Sequence, residues 1–198
     1  MKVAIISDLH ENFHNLILAL QKMDEEKVQH ILCLGDMMNT GLATILAMQE
    51  IPCFMIWGNN DGEKVDIVKT SFRENSKLTV SSNTYDFLQV ENKRIFISHY
   101  DNLAIPMAKS GEYDAVFYGH NHLKKVEEID GVHVVNPGEL CAQKTGVSSF
   151  AIYDTTENTI KIIELEDAVS LKTELVGAYF KKHMDKLAFR SKDAFEHE

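Results

Sequence analysis

Three stretches repeat one grammar: VAIISDLH at Val3–His10, HILCLGD at His30–Asp36 and CFMIWGNND at Cys53–Asp61. In each, a short apolar run ends abruptly in acid, amide or imidazole groups. Longer helix-like segments, Asn12–Glu26 and about Gly41–Gln49, separate the runs. Leu16, Leu20 and Met23 recur at i, i+4 and i+7, as a helix packed on a sheet requires. Continuous apolar strands alternating with amphipathic helices predict βαβ units and a parallel sheet covered on both faces.

Beyond about residue 78 the grammar changes to hairpins. Thr84–Glu91 and Arg94–Ser98 flank Asn92-Lys93, and Lys124–Ile129 and Val132–Asn136 flank Asp130-Gly131. Ser149–Asp154 and Thr159–Glu166 form a third pair, and Tyr113–Tyr118 reads as a parallel strand. No Pro/Ser-rich linker or charge block separates the halves, so one domain over residues 1–166 holding two sheets is expected. Residues 167–198 read as a C-terminal helical extension, with Leu171, Leu175, Val176, Tyr179, Phe180, Met184 and Leu187 spread over two sectors of a helix at Leu171–Phe189. One sector can pack on the domain and the other calls for a partner, which predicts a homo-oligomer through this helix.

The chain's 198 residues carry 20 basic and 30 acidic side chains, a formal charge of −10. Such a field repels polyanions and argues against nucleic acid or an acidic membrane as partner. A small phosphorylated substrate can still bind where a metal ion reverses the field locally. The three cysteines, Cys33, Cys53 and Cys141, show no CxxC spacing, against a disulfide scaffold or structural zinc. The first residues are too short an apolar stretch for a secretion signal, and no window approaches a membrane span. The expected location is cytoplasmic.

Five predicted strands end in candidate metal ligands: Asp8 and His10, Asp36, Asn59, His99, then His120 and His122. Carboxyl ends of strands line the crevice of an α/β sheet, so groups distant in sequence can converge there. Gly35, Gly58 and Gly119 suit sharp exits where backbone passes close to a site. Mixed oxygen and imidazole donors suit Mn, Fe, Co, Ni or Zn and are wrong for calcium. Seven groups exceed the needs of one ion, and two ions sharing a carboxylate is the economical arrangement. Such a pair polarises a phosphoryl group and deprotonates a bridging water.

D-x-H, GD-x-x-N, G-N-x-D, a strand-end His, G-H-x-H and N-P-G, in this order, resemble the calcineurin-like metallophosphoesterases. The match is strongest to the small bacterial and archaeal phosphodiesterase subgroup to which YfcE belongs. The resemblance implies a four-layer αββα sandwich of two mixed sheets with a dinuclear centre at one edge, preferentially of manganese. It implies that Asp8, His10, Asp36 and His122 bind one ion, that Asp36 bridges, and that Asn59, His99 and His120 complete the other. Asp36, Asn59, Asn60 and Asp61 form the implied catalytic set. The activity implied is hydrolysis of phosphodiesters, activated phosphomonoesters or nucleotide anhydrides. An alternative is a non-catalytic scaffold on the same fold, as in the retromer subunit, although such proteins tend to lose ligands and all seven positions here hold competent types.

The chain departs from the family pattern at three points. Glu11 stands where many members have Gly, predicting a looser first loop. Tyr100 and Asp101 stand where subgroup relatives often continue Gly-His, removing an imidazole near the second ion. Asn60 replaces a His that in many enzymes can protonate the departing oxygen. Asn136-Pro137-Gly138 resembles the family's turn behind the site, or is a plain turn. Asn12 reads as a helix cap that the resemblance would also bring near the site. Asn39 is either a turn residue or a neighbour of the substrate phosphate. His14, His30, His133, His183 and His197 read as surface or packing groups.

Overall fold

Successive residues of β1 (Lys2–Ile6) point to opposite faces, and both faces are apolar. Val3 and Ile5 join a core between two sheets, while Ala4 and Ile6 pack under helices. The computed structural model describes residues 1–171. The helix expected over Leu171–Phe189, the tail beyond it, and His183 and His197 lie outside the described residues, save Leu171 itself.

The parallel half runs β1, α1 (Phe13–Glu25), β2 (His30–Cys33), α2 (Thr40–Met48), β3 (Cys53–Met55), α3 (Lys64–Ser71) and β4 (Leu78–Val80). The hairpin half runs β5 (Tyr85–Val90), β6 (Lys93–Ser98), α4 (Ala104–Lys109), β7 (Ala115–Tyr118), β8 (Lys125–Ile129), β9 (Val132–Asn136), β10 (Ser149–Asp154) and β11 (Thr159–Glu164). One mixed sheet has the order β11-β10-β1-β2-β3-β4 and the other β5-β6-β7-β9-β8. The first is parallel from β1 to β4 and closed by the antiparallel β10–β11 hairpin. In the second, β6, β7 and β9 are parallel, with β5 and β8 antiparallel at the edges.

Leu16, Ala19 and Met23 of α1 and Leu42, Ala43 and Leu46 of α2 cover one outer face. Ala104 and Ala108 of α4 lie on Phe96, Val116 and Val134 over the other. Helix, sheet, sheet, helix is the αββα sandwich expected from the sequence. All three hairpins form, but the first turns at Glu91-Asn92, one residue before the expected Asn92-Lys93: Lys93 pairs with Val90, and Glu91 takes the left-handed conformation, φ 52°. The expected strands end one to two residues early: after Ile6, Cys33 and Met55 the backbone turns away from the ladder.

Four elements were not foreseen, one of them a 3-10 turn at Asp101–Leu103 between β6 and α4. α3 has no side-chain cap, β4 has only three residues, and α4 is six residues long with Pro106 in its first turn, where a missing N–H costs nothing. Asn12 caps α1 by accepting from the Asn15 N–H at 3.1 Å, and Asn39 caps α2 through the Leu42 N–H at 3.1 Å.

Candidate metal centre

All seven expected ligands sit just past the C-terminal ends of β1, β2, β3, β6 and β7. Five of them have backbone in the left-handed region: Asp8 (φ 53°), His10 (39°), Asp36 (54°), His120 (69°) and His122 (67°). Non-glycine residues adopt it only where surroundings enforce it, and such positions cluster at functional sites. Close backbone contact does the enforcing. A Cβ on Gly35 would lie 2.3 Å from the Gly58 amide nitrogen, and one on Gly58 only 2.1 Å from Asp36 Oδ1. One on Gly119 would lie 2.0 Å from Ser7 Oγ.

Asp8 Oδ2 accepts from Ser7 Oγ (2.7 Å) and the His120 N–H (3.1 Å). Its partner Oδ1 is buried with no hydrogen bond among the described residues, and so is His10 Nε2. A buried polar atom without a partner is costly unless something absent from the protein supplies one. These two atoms are 3.9 Å apart, and His122 Nε2 lies 3.3 Å from Asp8 Oδ1. Glu139 Oε2, 2.5 Å from His122 Nδ1, receives that N–H and leaves Nε2 as a bare lone pair facing another acceptor. Asp8, His10 and Asp36 can bring ligand atoms within 4.8 Å of one another.

The same logic holds across Asp36. His99 Nδ1 donates to the Leu34 carbonyl at 2.8 Å, so its Nε2 lone pair faces Asn59 Oδ1 at 2.9 Å. Two acceptors in contact, twice in one site, call for a cation. Asp36 Oδ2 lies 3.5 Å from His10 Nε2 and 3.6 Å from His99 Nε2, between the two groups. Tyr100 stands edge-on to the rings of His99 and His120, with centroids 5.2 and 5.0 Å away.

Burial lowers the pKa of His10 despite the opposing pull of Asp36 and Asp8, which keeps it neutral for ligation. Burial would raise Glu139, but hydrogen bonds from His122, the Lys144 and Thr145 N–H groups and the Thr145 hydroxyl outweigh it and hold the carboxylate well below its usual range. Cys141 lies close enough to His10 and His122 to form an alternative donor cluster. Burial and the adjacent Glu139 push its thiol far up, so it stays protonated and a poor ligand. A divalent ion fits the Asp8–His10–Asp36–His122 donors.

Asp61 reaches the site but not the ligand cluster. Its Oδ2 accepts from the Asp36 and Gly58 N–H groups (3.1 and 2.6 Å) and its Oδ1 from Met38 N–H (2.8 Å). It fixes where Asp36 stands. Asn60 contacts Asp36 directly, through its N–H to Oδ1 and its amide to Oδ2, both at 2.8 Å. The first loop is not loosened by Glu11: that residue takes the left-handed conformation itself, φ 63°, and its carboxylate receives the Asn39 amide at 3.1 Å. Asn136 lies behind the site, donating to the Gly119 carbonyl and to Asn121 Oδ1. Among the demoted histidines, His14 is exposed and half-buried His133 bonds the Asn158 carbonyl.

The ligand-orienting carboxylate, Glu139, escaped the sequence reading. Its signal was an acid directly after a Pro-Gly turn, in a chain with two histidines that need orienting.

A family model, the calcineurin-like phosphoesterase superfamily domain, matches residues 1–158. The chain belongs to that superfamily. Within it, the chain is 34% identical over 172 residues to the phosphodiesterase MJ0936 of Methanocaldococcus jannaschii, covering 84% of this chain and all of that one. A solved structure described as a novel archaeal phosphodiesterase aligns with a TM-score of 0.74 at 28% identity, over 83% of this chain and all of the other. YfcE, a phosphoesterase from E. coli, shares the fold with a TM-score of 0.61 at 20% identity, over 84% of this chain and all of that one.

Proposed function

We propose that this calcineurin-like phosphoesterase hydrolyses a small phosphodiester, activated phosphomonoester or nucleotide anhydride with two divalent transition-metal ions. Asp8, His10, Asp36 and His122 would hold one, and Asp36, Asn59, His99 and His120 the other. The observation that carries this reading is Asp36 Oδ2 lying 3.5 Å from His10 Nε2 and 3.6 Å from His99 Nε2, where one oxygen can serve both groups. Mn²⁺ suits the mixed oxygen and imidazole donors, with Fe, Ni, Co or Zn as other candidates. The relative named a phosphodiesterase supports diester substrates.

A metal pair supplies Lewis acidity toward a phosphoryl oxygen and activates water as nucleophile near neutral pH. The chain's own groups do the rest. Glu139 and the Leu34 carbonyl fix the ring orientation of His122 and His99, and Asp61 fixes Asp36. Asn60 can donate a hydrogen bond to a substrate oxygen but cannot surrender a proton near neutral pH. Leaving groups that depart as stable anions, aryl oxides or phosphates, are therefore favoured over simple alkoxides.

The free thiols Cys33, Cys53 and Cys141 fit a cytoplasmic, reducing setting. No described helix is long and apolar enough to cross a membrane. Self-association through residues 167–198 is part of the same reading.

The test is a panel of aryl phosphomonoesters, phosphodiesters, cyclic nucleotides and dinucleoside polyphosphates, assayed on the full chain after chelation and metal return. Hydrolysis restored by Mn²⁺, Ni²⁺ or Co²⁺ more than by Mg²⁺ or Ca²⁺ is expected. A metal-replete chain inert toward every member would overturn the reading.

A further inference from the structure

A cavity of about 460 Å³ opens between α4 and the loop carrying His120 and His122. Asp101, Asn102 and Asn121 line the side toward the ligand loops, residues that the proposed chemistry does not use, although Asp101 follows His99 by two positions and Asn121 lies between two ligands. Asn121 is locked: its Oδ1 accepts from the Leu123 N–H and the Asn136 amide, both at 2.9 Å, which turns its NH₂ toward Asp101 Oδ2 at 3.3 Å. Asp101 Oδ1 has no hydrogen bond among the described residues and can accept from a ligand hydroxyl.

The other walls are mixed: Ala104, Ile105, Tyr118 and Leu123 stand beside the charged Lys124, Lys125 and Glu127. Ile105 and Leu123, 46% and 58% exposed, present large side chains to solvent at the cavity, beside Ala104 and Tyr118. Lys124 and Lys125 also reach it, but each is paired, with Glu164 and Glu127 respectively. The cavity thus combines a hydroxyl acceptor two residues after His99, exposed aliphatic side chains of Ile105 and Leu123, and cations already engaged. That suits an uncharged group with hydroxyls at one end and a flat apolar body at the other, and disfavours a second phosphate.

We propose that this cavity is a nucleoside subsite, with Asp101 accepting from the ribose hydroxyls and Ile105 and Leu123 packing on the base. This rests on the phosphoesterase reading and narrows its substrate class to nucleoside phosphodiesters. It also gives a role to the departure at Asp101: the position has a sugar-binding acceptor where relatives often have an imidazole.

The test uses the full, manganese-loaded chain with three esters: bis(p-nitrophenyl) phosphate, the p-nitrophenyl ester of adenosine 5′-monophosphate, and its 2′,3′-dideoxy counterpart. A hydrogen bond to a charged acceptor predicts that the ribonucleoside ester exceeds the dideoxy ester in kcat/KM by about tenfold or more, mostly through KM. In Asp101→Ala that ratio falls to near one, and Leu123→Ala raises KM for both nucleoside esters relative to bis(p-nitrophenyl) phosphate. Hydrolysis of bis(p-nitrophenyl) phosphate without a ribose preference, or with one that survives Asp101→Ala, overturns the subsite and leaves the phosphoesterase standing. If no ester is cleaved, the phosphoesterase reading fails, and free adenosine decides the subsite separately. Saturable NMR shifts of Ile105 and Leu123 methyls on adding adenosine support it, and unmoved methyls overturn it.

Discussion

On either side of Asp36 the two ligand groups are built from different materials. The Asp8–His10–His122 side is anionic and closed: Asp8 is fully buried, and Glu139 adds a second carboxylate behind His122. The Asn59–His99–His120 side has neutral donors only, His99 is oriented by a backbone carbonyl, and His120 is half-buried beside Tyr100. Unpartnered buried atoms occur on the first side. The contrast teaches that ligand number alone does not set metal affinity. On the proposed two-ion reading, charge and desolvation favour tighter occupancy of the first group than of the second.

The most damaging break removes what both sides share. Asp36→Asn should lose metal from both groups and at least about 10³-fold in kcat, since the metal term is worth several kcal/mol. Elemental analysis of a folded Asp36→Asn chain retaining two ions would sink the bridging role.

A one-sided break comes next. Glu139→Gln should cost about 10–100-fold in affinity at the first group while sparing the second, as for other residues that orient ligands. The same variant has a stability signature. The native Glu139 pKa is lowered, so its contribution is complete above the unfolded value of about 4.3 and is lost as pH falls below it. Acid unfolding of the metal-free chain should therefore lose part of its pH slope in Glu139→Gln. An unchanged acid limb would contradict the assignment.

Asn60→His tests the exposed side. A proton donor there should raise turnover of alkyl esters by about tenfold or more while barely affecting aryl esters. A leaving-group series that shifts uniformly, with metal content equal in both proteins, would mean that the proton comes from elsewhere. The smallest effect is expected from Asn12→Ala. It removes the α1 cap and the bonds to the Cys141 and Val169 carbonyls. It should lower stability by about 1–2 kcal/mol in thermal unfolding, with little change at the second group.

Much of this was legible in sequence because the strands are apolar on both faces and end in chemistry. Val3–His10 carries its strand, its turn and two ligands in eight residues, so fold and site declare themselves together. The hairpins announced themselves through polar turn residues, Asp130-Gly131 at its true place and Asn92-Lys93 one residue beyond the actual turn at Glu91-Asn92. What stayed hidden lacks local pattern. β4 and α4 are too short for periodicity and exist because Leu78 and Ala104 find tertiary partners. Glu139 acts through a contact across 17 residues, and the pairing of Asp101 with Asn121 spans 20, separations over which no spacing rule operates. Asp61, grouped with the catalytic residues by motif, hydrogen-bonds three backbone amides, which only the folded loop brings within its reach.

The central claim is an unequal pair of ions around one shared carboxylate. Calorimetric titration of the chelator-stripped full chain with Mn²⁺, with bound metal counted independently, tests it most directly. The account predicts two ions per chain, the first bound at least about tenfold more tightly than the second, and Glu139→Gln weakening mainly the first. One ion per chain, or two of equal affinity that Glu139→Gln weakens alike, would contradict it.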